Sequence, residues 1–450
     1  MLNHDLPPGI VEWLAQVGGG PVTRLERHTA RREAWIVDVT PSAGGETVKG
    51  FLRLERTPIP GDPWSLRRET QIVAALHGSA VPVPRVLARN DALACTLFER
   101  MPGRADLQNV PAEQQRPVME NFIDIVAELH RLDIARFPAA DFPRPATARD
   151  LVLGELDLVR KRWAEFLSGY HDPLITYGVD WLERFAPKKV QRVSMVQGDT
   201  GPVNFLFEGD HVTAVIDWEW AHLGDPMEDL GNICVREFWN PSGGLTGLMR
   251  RYEQRSGLAV DLAAVRYYRV QQNVRGMIPI AERTVIANLR EPQAWYLAYR
   301  YIGDRSTLES MAESMGVQIG AVELPADDGV RDPLAMAADF ANEHDVRPTL
   351  TDPYAKARAL EVSVLIQCME RVQRLGQRIE RADLDDLGEL LGHRVTNAAA
   401  GNAALDLAIR QHRFDDERLI RFFGRRCYRL EWLYGPAARL YPDRRWAALD

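Results

Sequence analysis

The pattern of hydrophobic and polar positions changes character along the chain. EAWIVDVT (33–40) and TVKGFLRLE (47–55) are rich in β-branched and aromatic residues and are separated by turn-forming residues, so both are predicted strands. The segment 64–77 has helical spacing, and 94–103 is predicted to be a short strand that ends at a Pro-Gly break. Helical spacing then dominates, and strand character returns only around 193–217. This order predicts an α+β fold, a strand-rich first part and a helix-rich body with a cleft between two lobes.

The C-terminal part of the sequence has a different pattern. Residues 317–334 lose helical periodicity and gain Gly, Pro and Asp, which indicates a linker. Beyond the linker, 335–450 is predicted to be an all-helical region. Within it, apolar residues recur at every fourth position, as on the buried face of a helix: Leu360, Val364, Cys368 and Val372.

Composition limits the function classes. With 450 residues, the chain is too long for one ordinary core and is expected to form two or three structural units. Its formal net charge of −8 argues against nucleic acid as the main partner. We expect no membrane-spanning helix, because no stretch approaches ~18 consecutive apolar residues. The four cysteines lack metal-binding spacing and the N-terminus lacks a basic leader, so we expect reduced thiols in a cytoplasmic protein.

The candidate chemistry lies in a short loop and the hairpin that follows it. Two apolar runs flank Glu208-Gly209-Asp210 and predict a β-hairpin, which brings Asn204 and Asp217 together at its open end. Asp199 lies five residues before Asn204, on the loop that leads into the hairpin. Such oxygen ligands suit Mg²⁺ bound to phosphates, and a further carboxylate can accept the proton of an attacking hydroxyl. The alternative is that Asp199 and Asn204 are ordinary turn residues.

A second candidate pair precedes this loop. Glu69 falls within the apolar stripe of the predicted helix 64–77, and a buried carboxylate needs a partner. Arg53, on the preceding strand, is the best-placed cation, and the pair would hold a positive charge beside nucleotide phosphates. An ordinary structural ion pair or a solvated Glu69 is the alternative.

These residues together resemble the aminoglycoside phosphotransferase family, a branch of the protein-kinase-like fold that includes choline kinases. The resemblance covers roughly residues 20–315. Its strongest part is QGDTGPVNF followed by IDWEWAHLGDPMEDL, against the family pattern H-G-D-x-x-x-x-N, a short hairpin, I-D-W-E and G-D-P. The segment AELHRLD (127–133) resembles the helix that packs under the cleft in this family. The resemblance implies a nucleotide-binding lobe at 1–101 and a catalytic lobe at 102–316, followed here by the linker 317–334 and a helical accessory domain at 335–450.

The resemblance also implies a role for each matching residue. Asp199 would be the catalytic base, and Asn204 and Asp217 would bind Mg²⁺. Arg53 would take the place of the phosphate-contacting lysine, with Glu69 as its partner. Three consecutive residues would form the hinge that meets the adenine of ATP, with GTP as the other possible nucleotide: Glu99, Arg100 and Met101. Two residues would support the catalytic loop: Gln197 and Asp225.

The sequence departs from the family at three places. Gln197 replaces the usual His, but an amide can still support the loop through hydrogen bonds. Arg53 replaces Lys, and its wider planar fork is expected to alter the phosphate geometry. The segment 24–35, where a phosphate-covering hairpin is expected, contains no glycine.

The resemblance implies an ATP-dependent kinase whose acceptor is a hydroxyl of a metabolite, an acyl thioester or an antibiotic. A non-catalytic, nucleotide-binding pseudokinase is the main alternative, and a metal-dependent phosphohydrolase is another. The candidate acceptor segments, 150–192 and 234–315, mix positive and negative charges, which favours a metabolite or an acyl thioester over a polycationic aminoglycoside.

The C-terminal end is basic within an acidic protein. Between Arg418 and Arg445, arginines outnumber acidic residues, and the aromatic residues there are too many for a solvated tail. Three interpretations stay open: contribution of cations to an anionic acceptor, a homodimer interface, and arginines that pair with acidic residues of the same chain.

Overall fold

The computed structural model describes residues 6–28, 33–55, 58–59, 62–138, 142–286, 288–327 and 329–449. The strands are β1 Val22–Arg27, β2 Ala34–Val39, β3 Val48–Leu54, β4 Val86–Asn90, β5 Cys95–Glu99, β6 Ser194–Val196, β7 Phe205–Glu208, β8 His211–Val215 and β9 His222–Gly224. The α-helices are α1 Ile10–Gly18, α2 Leu66–Leu76, α3 Ala112–Arg131, α4 Ala148–Arg162, α5 Ala164–Gly169, α6 Pro173–Phe185, α7 Pro226–Trp239, α8 Thr246–Ser256, α9 Leu262–Val285, α10 Gln293–Met315, α11 Pro333–Phe340, α12 Pro353–Leu391, α13 Ala398–Arg410, α14 Asp416–Leu433 and α15 Gly435–Ala438.

These elements form two compact units. The first takes in the described parts of Met1–Arg144, Arg192–Asp229 and Gly247–Ala259. The second takes in those of Pro145–Gln191, Leu230–Thr246 and Val260–Asp450. The accessory helices therefore share a compact unit with earlier parts of the chain, whereas the functional boundaries proposed from the sequence stay predictions.

The first unit begins with a five-stranded antiparallel sheet of order β1-β2-β3-β5-β4. The predicted strands at 33–40, 47–55 and 94–103 correspond to β2, β3 and β5. Strand β4 was not predicted, because Pro82 and Pro84 precede it directly and it spans only five residues. Helix α1 packs on this sheet through Ile10 and Leu14, whose side chains are fully buried.

The predicted helix at 64–77 is α2, and its first turn is fixed by a side-chain cap. The hydroxyl of Ser65 accepts a hydrogen bond from the backbone N–H of Arg68 at 3.3 Å. Such a cap satisfies one of the amides that a helix leaves without a partner at its N-terminus. The turn of the hairpin expected to cover phosphates, 29–32, lies outside the described residues, but the flanking strands β1 and β2 pair antiparallel.

Two small sheets of the same unit carry the candidate chemistry. Strands β7 and β8 form the predicted hairpin, with Glu208 opposite His211 across a Gly209-Asp210 turn. Strand β6 pairs with β9, a three-residue strand that the pattern did not predict. The loop between β6 and β7 contains Asp199, and the hairpin predicted from the sequence is confirmed.

The second unit is helical, and the C-terminal helices form part of its core. Phe238, Ala294 and Ile302 are buried together with Val364 of α12 and Ala437 of α15. The prediction that 335–450 is helical is confirmed over its described residues, where no strand occurs. Because apolar residues from both sides of the linker share this core, the C-terminal helices are integral to the unit.

Most arginines near the C-terminus have acidic partners in the same unit. Five such pairs lie within α12 to α15 and the residues that follow: Arg421 with Glu417, Arg425 with Asp386, Arg426 with Asp383, Arg429 with Asp386, and Arg444 with Glu431. For these side chains the third interpretation, intramolecular pairing, is confirmed.

All four cysteines are buried and none forms a disulfide. Burial raises the pKa of Cys95 to about 11 and that of Cys234 to about 12. Both therefore remain neutral thiols at physiological pH, as the sequence predicted for structural cysteines. Among the described helices, none combines the length and apolar character that crossing a membrane requires.

Candidate active site

The loop between β6 and β7 contains a position, Gly198, that no residue with a side chain can occupy without displacing the loop. Gly198 has a left-handed φ of 76°. A Cβ atom at this position would lie 2.4 Å from the carbonyl oxygen of Trp220. Any side chain would therefore displace the loop immediately before Asp199. The close contact between the backbones of Gly198 and Trp220 thus sets the position of Asp199.

Asp199 and Asn204 are joined directly. The Nδ2 of Asn204 donates to the backbone carbonyl of Asp199 at 2.6 Å and to its Oδ2 at 2.7 Å. Because Nδ2 is committed to Asp199, the other polar atom of the amide, Oδ1, is the one that can bind a cation. The sequence prediction that these two side chains lie close together is confirmed.

The hairpin brings Asp217 to the same place. The backbone N–H of Ile216 donates to the carbonyl of Asn204 at 2.9 Å, which joins the two ends of the hairpin. Asp217 follows with a left-handed φ of 60°, unusual for a residue with a side chain. Backbone strain of this kind clusters at functional sites, where the surrounding structure holds it in place.

Gln197 connects the loop to the end of the hairpin. Its Nε2 donates to the backbone carbonyl of Ile216 at 2.8 Å and lies 3.5 Å from that of Asp217. The amide thus makes the supporting hydrogen bond that was expected of it in place of the usual His.

Asp229 anchors the backbone of this loop, and the sequence analysis missed it. Its carboxylate accepts hydrogen bonds from the N–H of Gln197 and of Gly198, both at 2.9 Å, and from the hydroxyl of Thr200. His130 lies 3.0 Å away through Nε2, and both side chains are fully buried. Burial opposes ionisation of this carboxyl, but the hydrogen bonds outweigh it and lower the pKa of Asp229 below its usual value.

His130 extends the same network to a second helix. Its Nδ1 lies 2.8 Å from the hydroxyl of Tyr252 in α8. His130 belongs to AELHRLD, and Asp229 to GDPMEDL, so both lie in segments that the resemblance included. The available signal was a charged residue on an apolar helix face, but nothing in the sequence showed that the two would meet.

Asp225, the other predicted supporting residue, lies at the start of α7. Its Oδ1 accepts a hydrogen bond from the N–H of Met227 at 3.0 Å, and its carbonyl accepts one from Glu228. Asp225 thus orders the turn that leads into α7, the helix from which Asp229 reaches the loop.

Arg53 and Glu69 form the predicted ion pair. Arg53 Nη1 lies 2.7 Å from Glu69 Oε1, and the two side chains are 14% and 4% exposed. The same guanidinium nitrogen lies 3.7 Å from Asp217 Oδ1. Burial opposes the charge on Arg53, but the carboxylates of Glu69 and Asp217 outweigh it and raise the pKa of Arg53.

Glu69 also contacts the chain just beyond Asp217. Its Oε1 accepts a hydrogen bond from the backbone N–H of Trp218 at 3.3 Å. One carboxylate on α2 therefore holds both the cation of β3 and the backbone that follows the hairpin. This contact was not predicted, because almost every residue has a backbone N–H and the sequence does not show which one a carboxylate will meet.

The predicted hinge lies at the end of β5. Glu99 is paired with Gly50 of β3, and the N–H of Arg100 donates to the carbonyl of Lys49 at 3.0 Å. The Arg100 guanidinium lies 2.9 Å from the carboxylate of Asp38. The Arg100 side chain is thus held by the sheet, and the chain then leaves the sheet at Met101.

The donor set fits magnesium. Among the described residues, no group of three or more His, Cys, Asp or Glu side chains could hold a metal by itself. Asn204 Oδ1 and the Asp217 carboxylate instead provide two hard oxygen donors. This suits Mg²⁺, which takes one or two protein groups and completes its shell with waters and substrate phosphates.

Comparisons with known proteins identify relatives of this chain. Residues 38–268, just over half of the chain, match the model of the phosphotransferase enzyme family. A stretch of 188 residues is 26% identical to acyl-CoA dehydrogenase family member 10 of Mus musculus, over 38% of this chain and 17% of that protein. Another of 186 residues is 24% identical to Hygromycin-B 4-O-kinase of Escherichia coli, over 39% of this chain and 53% of that one. The chain thus matches only part of the length of either relative.

A solved structure shows the fold. A Ralstonia eutropha protein described as an aminoglycoside phosphotransferase is 20% identical, with a TM-score of 0.50, over 67% of this chain and 94% of that one. The predicted α+β, protein-kinase-like fold with added C-terminal helices is confirmed. The family model includes every predicted site residue, from Arg53 to Asp225. The chain belongs to the phosphotransferase enzyme family.

Proposed function

We propose that the chain is an ATP-dependent small-molecule kinase that transfers the γ-phosphoryl group to a hydroxyl of a metabolite, an acyl thioester or an antibiotic. The observation that carries this proposal is the shared position of Asp199, Asn204 and Asp217. The Asn204 amide is hydrogen-bonded to Asp199, and the Asn204 carbonyl accepts from Ile216, directly before Asp217. A proton acceptor and two oxygen donors on one loop and hairpin are what phosphoryl transfer requires.

Asp199 would act as the base. Its carboxylate accepts the proton of the acceptor hydroxyl as the oxygen forms its bond to the γ-phosphorus. The bond between that phosphorus and the β,γ-bridging oxygen breaks, and ADP leaves with the bridging oxygen. The Asn204 amide holds the Asp199 carboxylate in orientation throughout, because it donates to both the side chain and the backbone of Asp199.

Asn204 and Asp217 would hold Mg²⁺ through their side-chain oxygens. A magnesium ion supplies charge neutralisation to the phosphate oxygens. Arg53, which lies beside Asp217, would also contact the phosphates, held by Glu69 at 2.7 Å. Its fixed planar fork can donate two parallel hydrogen bonds to phosphate oxygens, which a lysine cannot.

The nucleotide base would lie against the backbone of Glu99 to Met101. The Arg100 side chain is occupied with Asp38, and the N–H groups of Glu99 and Arg100 already donate to other main-chain carbonyls, so the main-chain groups of Met101 would recognise the base. Main-chain recognition fits ATP, and GTP is the second nucleotide to test.

The proposal also concerns the class of compound whose hydroxyl accepts the phosphoryl group. The E. coli relative is named as a kinase of hygromycin B, and the mouse relative is named as a member of the acyl-CoA dehydrogenases. The mixed charges of the acceptor segments support a metabolite or an acyl thioester for this chain.

One observation supports a second candidate, a nucleotide-binding pseudokinase. Arg53 Nη1 lies 3.7 Å from Asp217 Oδ1, so a cation of the chain already lies beside a proposed metal ligand. In a pseudokinase this pair would persist with nucleotide bound, and Mg²⁺ would not raise nucleotide affinity.

An acceptor screen tests the proposal. The purified chain is incubated with Mg-ATP or Mg-GTP and with hydroxylated metabolites, hydroxyacyl thioesters, aminoglycosides or macrolides, and products are identified by mass spectrometry. A phosphorylated acceptor that requires Mg²⁺ supports the kinase. Nucleotide binding without any phosphorylated product or released phosphate supports the pseudokinase, and release of phosphate to water alone supports a phosphohydrolase.

A further inference from the structure

The second unit contains a cavity of about 700 Å³ among α4, α5, α6 and α13. Helices α4 and α6 lie within the residues matched by the family model, whereas α13 lies beyond them. The C-terminal helices therefore supply a wall that the family core alone would lack. The cavity lies within the size range of small-molecule sites.

Each carboxylate that lines this cavity has a cationic or imidazole partner. The pairs are Asp157 with Arg149 at 2.7 Å, Asp172 with Arg300, and Asp406 with His171 at 3.0 Å. Asp157 thus has an arginine partner, Asp172 shares Arg300 with Asp304 at 2.8 Å, and Asp406 has an imidazole partner.

Two cations that line the cavity lack such compensation. The side chains of Lys161, at the end of α4, and Arg410, at the end of α13, have no hydrogen-bond or ion-pair partner among the described residues. A third cation, Arg160, lies 2.7 Å from Glu183 and is paired. The two cations whose side chains are free to hold a ligand thus lie on α4 and on α13.

The remaining lining is largely apolar. It includes Leu167, Ile175 and Leu407, and the Leu407 side chain is 55% exposed although it belongs to a helix of the core. We propose that this cavity binds a small organic anion, in which Lys161 and Arg410 hold a phosphate or carboxylate group and the leucine and isoleucine side chains contact an apolar chain. The site is separate from the phosphoryl-transfer residues, all of which belong to the first unit.

Calorimetric titration of the full chain with hexyl phosphate tests this site. We expect hexyl phosphate to bind about tenfold or more tightly than 1-hexanol or inorganic phosphate, because it offers both the charge and the chain. In the variant with Lys161→Gln and Arg410→Gln, affinity should fall by about tenfold or more. The matched control, Lys188→Gln with Arg394→Gln, removes two exposed charges of the same unit away from the cavity and should bind like the wild type.

A second variant tests the location independently of charge. Ala403→Phe places a ring in the cavity from α13 and should abolish hexyl phosphate binding, with the melting temperature showing that the variant is folded. Saturating Mg-ADP should leave the affinity unchanged. Failure of hexyl phosphate to bind the wild type, equal weakening in the control, or competition by Mg-ADP would each overturn the proposal.

Discussion

Asp217 and Asp229 lie near the same loop, but their surroundings differ. Asp229 is fully buried and accepts hydrogen bonds from two backbone amides, a hydroxyl and an imidazole. Asp217 is 21% exposed and has the Arg53 guanidinium 3.7 Å away. A fully satisfied buried carboxylate can position its neighbours but cannot also bind a ligand, which supports the proposal that Asp217 binds the metal while Asp229 supports the loop.

Asp217→Ala should weaken Mg-ATP binding by about tenfold or more, because the phosphates lose a metal-bridged partner. The measurement is a nucleotide titration with and without Mg²⁺. Asp210→Ala, at the exposed turn of the same hairpin, is the control and should bind like the wild type. Unchanged affinity in the Asp217 variant would remove this residue from the metal site.

Asp229→Asn should destabilise the fold by about 3 kcal/mol at neutral pH, because two buried backbone amides and a hydroxyl lose a charged acceptor. The pKa of Asp229 is lowered in the folded chain, so its contribution to stability is present above the unfolded pKa of about 3.9 and is lost as the pH falls through the folded pKa. The free energies of unfolding of wild type and variant should therefore differ by a constant amount between roughly pH 6 and 8, and this difference should vanish in acid. A difference that grows in acid would contradict the assignment.

Arg53 and Glu69 should be energetically coupled in nucleotide binding. A double-mutant cycle with Arg53→Gln and Glu69→Gln should give an interaction free energy of roughly 0.5–3 kcal/mol, because their charged atoms are in contact. The measurement is Mg-ATP affinity in the four proteins. Strictly additive losses would show that the pair is structural and separate from the nucleotide site.

The distance along the chain explains which contacts the sequence could predict. Arg53 and Glu69 lie 16 residues apart on adjacent elements whose periodicities show the faces they share. His130 and Asp229 lie 99 residues apart, on helices whose packing the sequence does not specify. Local pattern therefore predicted the Arg53–Glu69 pair, whereas the contact that anchors the loop of Asp199 depended on tertiary packing.

At the scale of elements, the same limit applies to strands. The hairpin of β7 and β8 was predictable because two apolar runs flank a turn sequence. Strand β9 has only three residues and is a strand because it pairs with β6, which lies before the hairpin in sequence. Short strands of this kind depend on a distant partner and carry too little pattern to be predicted alone.

The C-terminal helices should be required for folding of the second unit. Deletion of 335–450 would remove Val364 and Ala437 and expose Phe238, Ala294 and Ile302, which share one core with them. We expect the truncated chain to aggregate, since contiguous exposed apolar surface drives association. Solubility and light scattering measure this outcome.

The matched control for the deletion is the full chain cut at a protease site introduced next to Gly320. Both pieces then remain present, and the cut chain should stay soluble because the core is intact. A truncated chain that is soluble, monomeric and unchanged in acceptor preference would show instead that the C-terminal helices are dispensable.

At the scale of the whole molecule, the predicted site residues all belong to the first compact unit, and the second unit carries the charged cavity. The net charge of −8 excludes neither a nucleotide nor an anionic ligand, because the cations close to a site, such as Arg53, determine whether it can bind an anion. Homodimer formation through the C-terminal helices and cytoplasmic location stay predictions from the sequence.

The most direct test of the central claim compares the wild type with Asp199→Asn, using the best acceptor found in the screen. Phosphoryl transfer and Mg-ATP affinity are measured on the same preparations. Loss of the base should slow transfer by about 10²- to 10⁴-fold and leave the affinity for Mg-ATP close to that of the wild type. Transfer at nearly the wild-type rate in the Asp199→Asn variant would contradict the assignment of Asp199 as the catalytic base.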